Sequence, residues 1–110
     1  MADLMKLAER VEALSGPDRA VDWELHVFDG LVGVGMYGAH PHYTASLDAA
    51  MTLVPEGWDH GYTWQPGSYP HMKANGQCWT HKEASTVHGD AATPALALCA
   101  AALRARASNG

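Results

Sequence analysis

Near residue 55 the hydrophobic period of the chain changes, and that change constrains the fold more than any other feature. Up to Val54, apolar residues recur three and four apart, as one face of a helix requires. From Trp58 the spacing becomes two. Trp58, His60, Tyr62 and Trp64 alternate with Asp59, Gly61 and Thr63, a strand pattern with one bulky and one small face. A chain that is helical on one side of a point and extended on the other must fold as helices packed on a sheet.

The helical part divides at its breakers. Leu4, Leu7, Ala8, Val11 and Leu14 place a helix over 2–14, stopped by Gly16-Pro17. Pro17 suits the first position of a second helix, over 17–28, because its missing N–H would be unpaired there anyway. Val21, Leu25 and Phe28 give that helix its apolar face, and Asp18 and Asp22 lie near its positive end. The glycine-rich stretch 29–41 predicts a loop or an irregular hairpin. A third helix follows, capped by Thr44 or Ser46, with Leu47, Ala50, Met51 and Val54 on its apolar face and Pro55 and Gly57 at its end.

Beyond the first strand, Pro66-Gly67-Ser68 predicts a turn and residues 69–74 a second strand. Asn75-Gly76 predicts a two-residue hairpin, and a third strand starts near Gln77. The last segment, "TPALALCAAALRAR", is a helix with Thr93 as cap and Pro94 as first residue. Leu96, Cys99, Ala100, Leu103 and Ala107 share one of its faces, and its alanines let it lie close to a sheet. The expected fold is α+β, a single domain over 1–110. Its order is helix–helix–helix–strand–strand–strand–helix, with helices flanking a small three-stranded antiparallel sheet in a sandwich-like arrangement.

Several chemistries are present only in outline. Seven histidines invite a metal site, and His60, His71 and His81 could share a sheet face with His40 or His42 nearby. Their spacing fits no ligand signature, and neither H-E-x-x-H nor paired C-x-x-C occurs, so no metal or cofactor is expected. "GVGMYG" at 33–38 matches G-x-G-x-x-G, but no helix opens on its glycines. Cys78 falls on a strand and Cys99 on the buried face of the last helix, where a thiol is inert. No G-x-S-x-G is present. No catalytic residue is assigned, and the chain is not expected to be an enzyme. The aromatic sheet residues Trp58, Tyr62, Trp64, Tyr69 and Trp79 read either as core packing or as an exposed binding face, since Trp and Tyr dominate interface hot spots.

Charge narrows the partners. The formal net charge is -5, which disfavours direct binding to nucleic acid or to an anionic membrane. Residues 1–59 carry ten acids against Lys6, Arg10 and Arg19, whereas residues 60–110 carry two acids against four bases. With two cysteines, no apolar run behind a basic N-terminus and no apolar stretch of membrane-spanning length, a cytosolic protein with reduced thiols is expected.

Three stretches, "LAERVEALSGPDRAVD" (7–22), "YTASLDAAMTLVPEGW" (43–58) and "ATPALALCAAALRARA" (92–107), resemble a family of small phage and prophage proteins, the phage ABA sandwich domain. The resemblance implies helices on both faces of a small antiparallel sheet and a phage accessory gene. It implies no activity. In that setting the expected function is binding of a host protein complex in the host cytoplasm by a monomer. Its sharpest form is an anti-CRISPR inhibitor, a compact acidic protein competing with DNA for the basic channel of a CRISPR effector complex. Asp22, Glu24, Asp29, Glu56 and Asp59 are the candidate partner-binding surface. The alternatives are a phage accessory or structural interaction module with no anti-defence role, and a His-based metal-binding protein.

Overall fold

The computed structural model describes residues 2–28, 42–55, 57–63, 74–80 and 85–109. Four helices and three strands follow the expected order: α1 (Ala2–Ala13), α2 (Arg19–Phe28), α3 (Leu47–Met51), β1 (Asp59–Thr63), β2 (Ala74–Thr80), β3 (Ser85–Ala91) and α4 (Pro94–Asn109). The fold is α+β with an antiparallel sheet of order β1-β2-β3. Predicted structure at 29–41, the turn at 66–68 and the stretch 69–73 lie outside the described residues.

The helix ends follow local chemistry. α1 buries Leu7, Ala8 and Val11, with Leu4 and Leu14 packed partly against them. Asp18 caps α2, which begins at Arg19, so Pro17, expected as its first residue, stays outside the helix. The Asp18 carboxylate accepts from the N–H groups of Ala20 (2.9 Å) and Val21 (3.2 Å), the two donors an N-cap satisfies. Val21 and Leu25 are buried as expected; the side chain of Phe28 is outside the described set. Ser46 caps α3, its hydroxyl accepting from Ala49 N–H.

α3 is shorter than its sequence pattern. After Met51 the chain tightens into bonds three residues apart, Leu53 N–H to Ala50 C=O (3.0 Å) and Val54 N–H to Met51 C=O (3.2 Å). Residues three apart then stack, so Ala50 and Leu53 are the buried pair. Leu47, Met51 and Val54, expected to fill the core, pack only partly against it.

The sheet corrects the expected hairpin. Asn75 and Gly76 lie inside β2, and its partner is Ser85–Ala91 rather than a strand from Gln77. Gly76 serves a close approach rather than a turn. A Cβ there would stand 2.5 Å from the backbone carbon of Ala97 in α4, and one at Gly89 in β3 would stand 2.4 Å from the Ala97 oxygen. Two glycines facing each other across the β2–β3 pair make the seat on which α4 lies.

α4 is the centre of the molecule. Residues from Ala95 to Leu103 are all buried, as is Ala105, so the helix has no single apolar face. Ala97, Ala100 and Ala101 meet the glycines of the sheet. Cys99, on the opposite side, donates its S–H to the Tyr43 carbonyl (3.2 Å) in the turn before α3. α1 and α3 pack on α4, and α1 also reaches β3. The described helices flank the sheet through α4, which lies against all three strands.

Candidate functional site

Cross-strand pairing sorts the sheet residues by face. Asp59 pairs with Trp79 and Gly61 with Gln77; Asn75 pairs with Asp90, Gln77 with His88, and Trp79 with Thr86. Directly paired residues share a face. The intervening residues Ala74, Gly76, Cys78 and Thr80 are buried on the α4 side. Asp59, Gly61, Asn75, Gln77, Trp79, Thr86, His88 and Asp90 thus form the opposite face, and among the described residues no helix covers it. Asp59, Thr86, His88 and Asp90 are exposed, and Asn75, Gln77 and Trp79 are half-buried.

This face is ordered by its own side chains. The Gln77 amide donates to Asn75 Oδ1 (2.9 Å), and the Asn75 amide donates to Asp90 Oδ1 (2.8 Å). Trp79 leans over Gly61, whose missing side chain leaves room for the indole; a Cβ there would sit 3.4 Å from the ring. The result is an aromatic platform with an amide ladder beside it, and with carboxylates at opposite corners from Asp59 and Asp90. It can offer stacking area, hydrogen bonds and negative charge to a partner at little ordering cost, because its side chains are already held.

Of the five acids expected to form a partner surface, Asp22, Glu24 and Asp59 fall within the described residues, in three different settings. Asp22 is fully buried. Its Oδ1 accepts from Thr44 N–H (2.7 Å) and the Thr44 hydroxyl (2.8 Å), and its Oδ2 from Arg19 (3.0 Å). It is a structural tie between α2 and the turn before α3, since a buried carboxylate is tolerated only when bonded in this way. Glu24 pairs with Arg10 of α1 at 2.8 Å, and this hydrogen bond raises the Arg10 pKa above its ordinary value. Asp29 and Glu56 lie outside the described residues. Asp59 is exposed on the open face. Sequence reasoning missed Asp90, Asn75, Gln77 and His88. The signal for His88 and Asp90 was the alternation in "STVHGDA", where Thr86, His88 and Asp90 interleave with Val87, Gly89 and Ala91.

The other candidates separate. His26 is buried with its Nδ1 3.3 Å from the Tyr43 hydroxyl, while His42, His60 and His88 are exposed. His40, His71, His81 and the 33–38 glycine motif lie outside the described residues. Among the described residues no group of three or more His, Cys, Asp or Glu could hold a metal ion. Bulky residues of β1 fall on the α4 side: Trp58 packs partly against the core, and Tyr62 is about half exposed. A cleft of about 370 Å³ opens between Tyr62, Leu47, Pro17 and the start of α4 at Thr93 and Pro94.

Both thiols are buried. Burial pushes Cys78 from the ordinary 9.0 to about 12. Burial, and then the negative charge of Asp22, raise Cys99 still further. Neither thiol is expected to react with Ellman's reagent in the native protein at mildly alkaline pH, whereas both should react after unfolding. The stabilising effect of keeping these protons is complete below the unfolded thiol value. It falls as pH rises towards about 12, because the unfolded chain releases protons that the folded chain retains. A denaturation midpoint that declines above about pH 9, less steeply when both cysteines are alanine, is the corresponding measurement.

No family model matches the chain, and no curated protein or solved structure matches it. No described helix is long and apolar enough to cross a membrane.

Proposed function

We propose that this chain is a phage- or prophage-encoded accessory protein that acts by binding a host protein complex, using the open face of its sheet. The observation that carries the reading is the pre-ordered platform of Trp79, Gln77 and Asn75 between the carboxylates of Asp59 and Asp90. Trp and Tyr are enriched among the few residues that dominate interface binding energy, and flanking carboxylates select a basic partner and speed encounter. The sharpest form of the proposal is an anti-CRISPR inhibitor. A nucleic-acid channel lined with Lys and Arg is a surface that a compact, net-negative protein can reach and occupy. Asp59 and Asp90 take the role first assigned to the five acids.

The experiment is a tagged pull-down from a host expressing its own CRISPR system, read by mass spectrometry, followed by binding measurements on variants. Stoichiometric recovery of effector-complex subunits is expected. Trp79→Ala should weaken that binding by about 2 kcal/mol. Reversing Asp59 and Asp90 together to lysine should weaken it about ten-fold at low salt and less at high salt. Recovery of the protein alone sinks the inhibitor reading for that host. Recovery of phage structural proteins instead would favour an accessory module without an anti-defence role. Binding indifferent to Trp79 and to both acids would move the interface off this face.

A further inference from the structure

The two edges of the sheet are treated differently. On the outer edge of β3, Glu12 accepts from Asp90 N–H (2.9 Å) and Arg104 donates to the His88 carbonyl (2.9 Å). Glu12 and Arg104 are themselves joined by two bonds of 2.6 Å, so α1 and α4 close that edge with a side-chain clasp. Such a clasp is one way to keep a strand edge from pairing with another chain. Among the described residues no such clasp bonds the backbone of His60 or Tyr62 in β1.

The clasp also fixes the bonding pattern of the sheet. Because Asp90 N–H and the His88 carbonyl point outward, these residues pair with Asn75 and Gln77 without exchanging bonds. Antiparallel ladders alternate, so Asn75, Gln77 and Trp79 turn their backbone groups toward β1 and bond to Thr63, Gly61 and Asp59. The N–H and C=O groups of His60 and Tyr62 are then left facing outward, placed symmetrically about Gly61.

We infer that β1 is a self-complementary edge, and that two copies of this chain join through it into a continuous six-stranded sheet. A two-fold axis at Gly61 sets His60 of one copy opposite Tyr62 of the other, twice. All four outward groups on each strand are then bonded. The same register sets Asp59 against Thr63 and brings no like charges opposite one another. Sliding the pairing so that His60 faces His60 sets Tyr62 against Trp58, whose N–H is already bonded to the Pro55 carbonyl (3.2 Å). The glycine pair at the axis needs no side-chain room. Tyr62, one of two exposed large apolar residues among those described, becomes covered by its neighbour's His60. The surface is small, so the dimer is weak and depends on concentration. It departs from the monomer expected from sequence, and it stands independently of the use proposed for the open face.

Sedimentation of the full chain alone, from low micromolar to millimolar concentration, tests the inference together with amide hydrogen exchange. The expected result is a mass rising from one chain towards two, with the His60 and Tyr62 amides gaining protection in step. Gly61→Lys sets two like charges face to face across the axis and should weaken association about ten-fold or more. Tyr62→Pro removes an outward donor at an edge position that tolerates proline, and should do the same. A monomer at every concentration overturns the inference. If those amides are then protected throughout, another part of the same chain occupies the edge. A dimer that survives both substitutions uses a different surface and overturns it equally.

Discussion

Replacing Gly89 with alanine is expected to lower stability by about 3 kcal/mol, near the top of the range for overpacking. The added Cβ would stand 2.4 Å from the Ala97 oxygen and 2.8 Å from both the Ala100 Cβ and the Ala101 nitrogen. Two of these three atoms are helix backbone, which cannot rotate aside. α4 cannot lift freely either, because α1 and α3 also pack on it. Gly76→Ala meets Ala97 and Leu98 backbone atoms at 2.5–2.6 Å and should behave alike. For a domain of this size either change lowers the melting temperature by roughly 10–20 °C. Both substitutions push on Ala97, so the double variant should lose less than the sum: once α4 has lifted for one methyl, part of the room for the other exists. Gly61→Ala is the control. Its Cβ would be 3.4 Å from the Trp79 ring, and its effect should stay within about 0.5 kcal/mol. Urea unfolding of the four variants beside the native protein decides the matter. Equal midpoints for the Gly61 and Gly89 variants would mean that α4 does not sit on the glycine seat.

The same glycines explain what the sequence could and could not reveal. The change of hydrophobic period after Val54 made the α+β class and the order of elements legible, because that signal is local. The alanines of α4 were rightly a sign of close approach to a sheet. Where the approach falls was not legible: Asn75-Gly76 has the composition of a tight turn, and only the position of α4 shows that Gly76 is a contact point. β3 was missed for a related reason. Its buried face is Ala91, Gly89 and Val87, too small to register as a hydrophobic alternation, since α4 itself supplies the bulk on that side. The charge count failed at Asp22 because it sums carboxylates without knowing which of them turn inward. The partner that turns Asp22 inward, Thr44, is 22 residues away. The place of Asp59 in a strand was legible because the alternation after Trp58 is strong. Asp90, at the matching corner, became visible only once β3 was placed.

Asp22→Ala is expected to be as damaging as the glycine changes, at about 3–5 kcal/mol, through loss rather than crowding. The substitution removes acceptors for the backbone N–H and hydroxyl of Thr44 and for Arg19. Thr44 is itself buried, so its N–H would be left without its carboxylate partner and without water. Thr44 also accepts from Asp18 N–H (2.8 Å), and the loss therefore reaches the first turn of α2. Asp22→Asn separates the two parts of the effect. It can keep an oxygen toward Thr44 while giving up the charge near Arg19, whose side chain is 39% exposed and can turn to water. Its cost should be well below that of alanine, about 1–2 kcal/mol. Thr44→Val, which keeps the N–H and deletes the hydroxyl, should lose less in the Asp22→Ala background than in the native one. A double-mutant cycle with full additivity would show that the two side chains do not act together. The ordering also protects the functional test. If Asp22 faced a partner, Asp22→Asn would weaken binding while leaving the melting curve nearly unchanged. As a buried tie, it should change the melting curve and leave the binding of the folded fraction intact, whereas reversal of Asp59 and Asp90 should do the opposite.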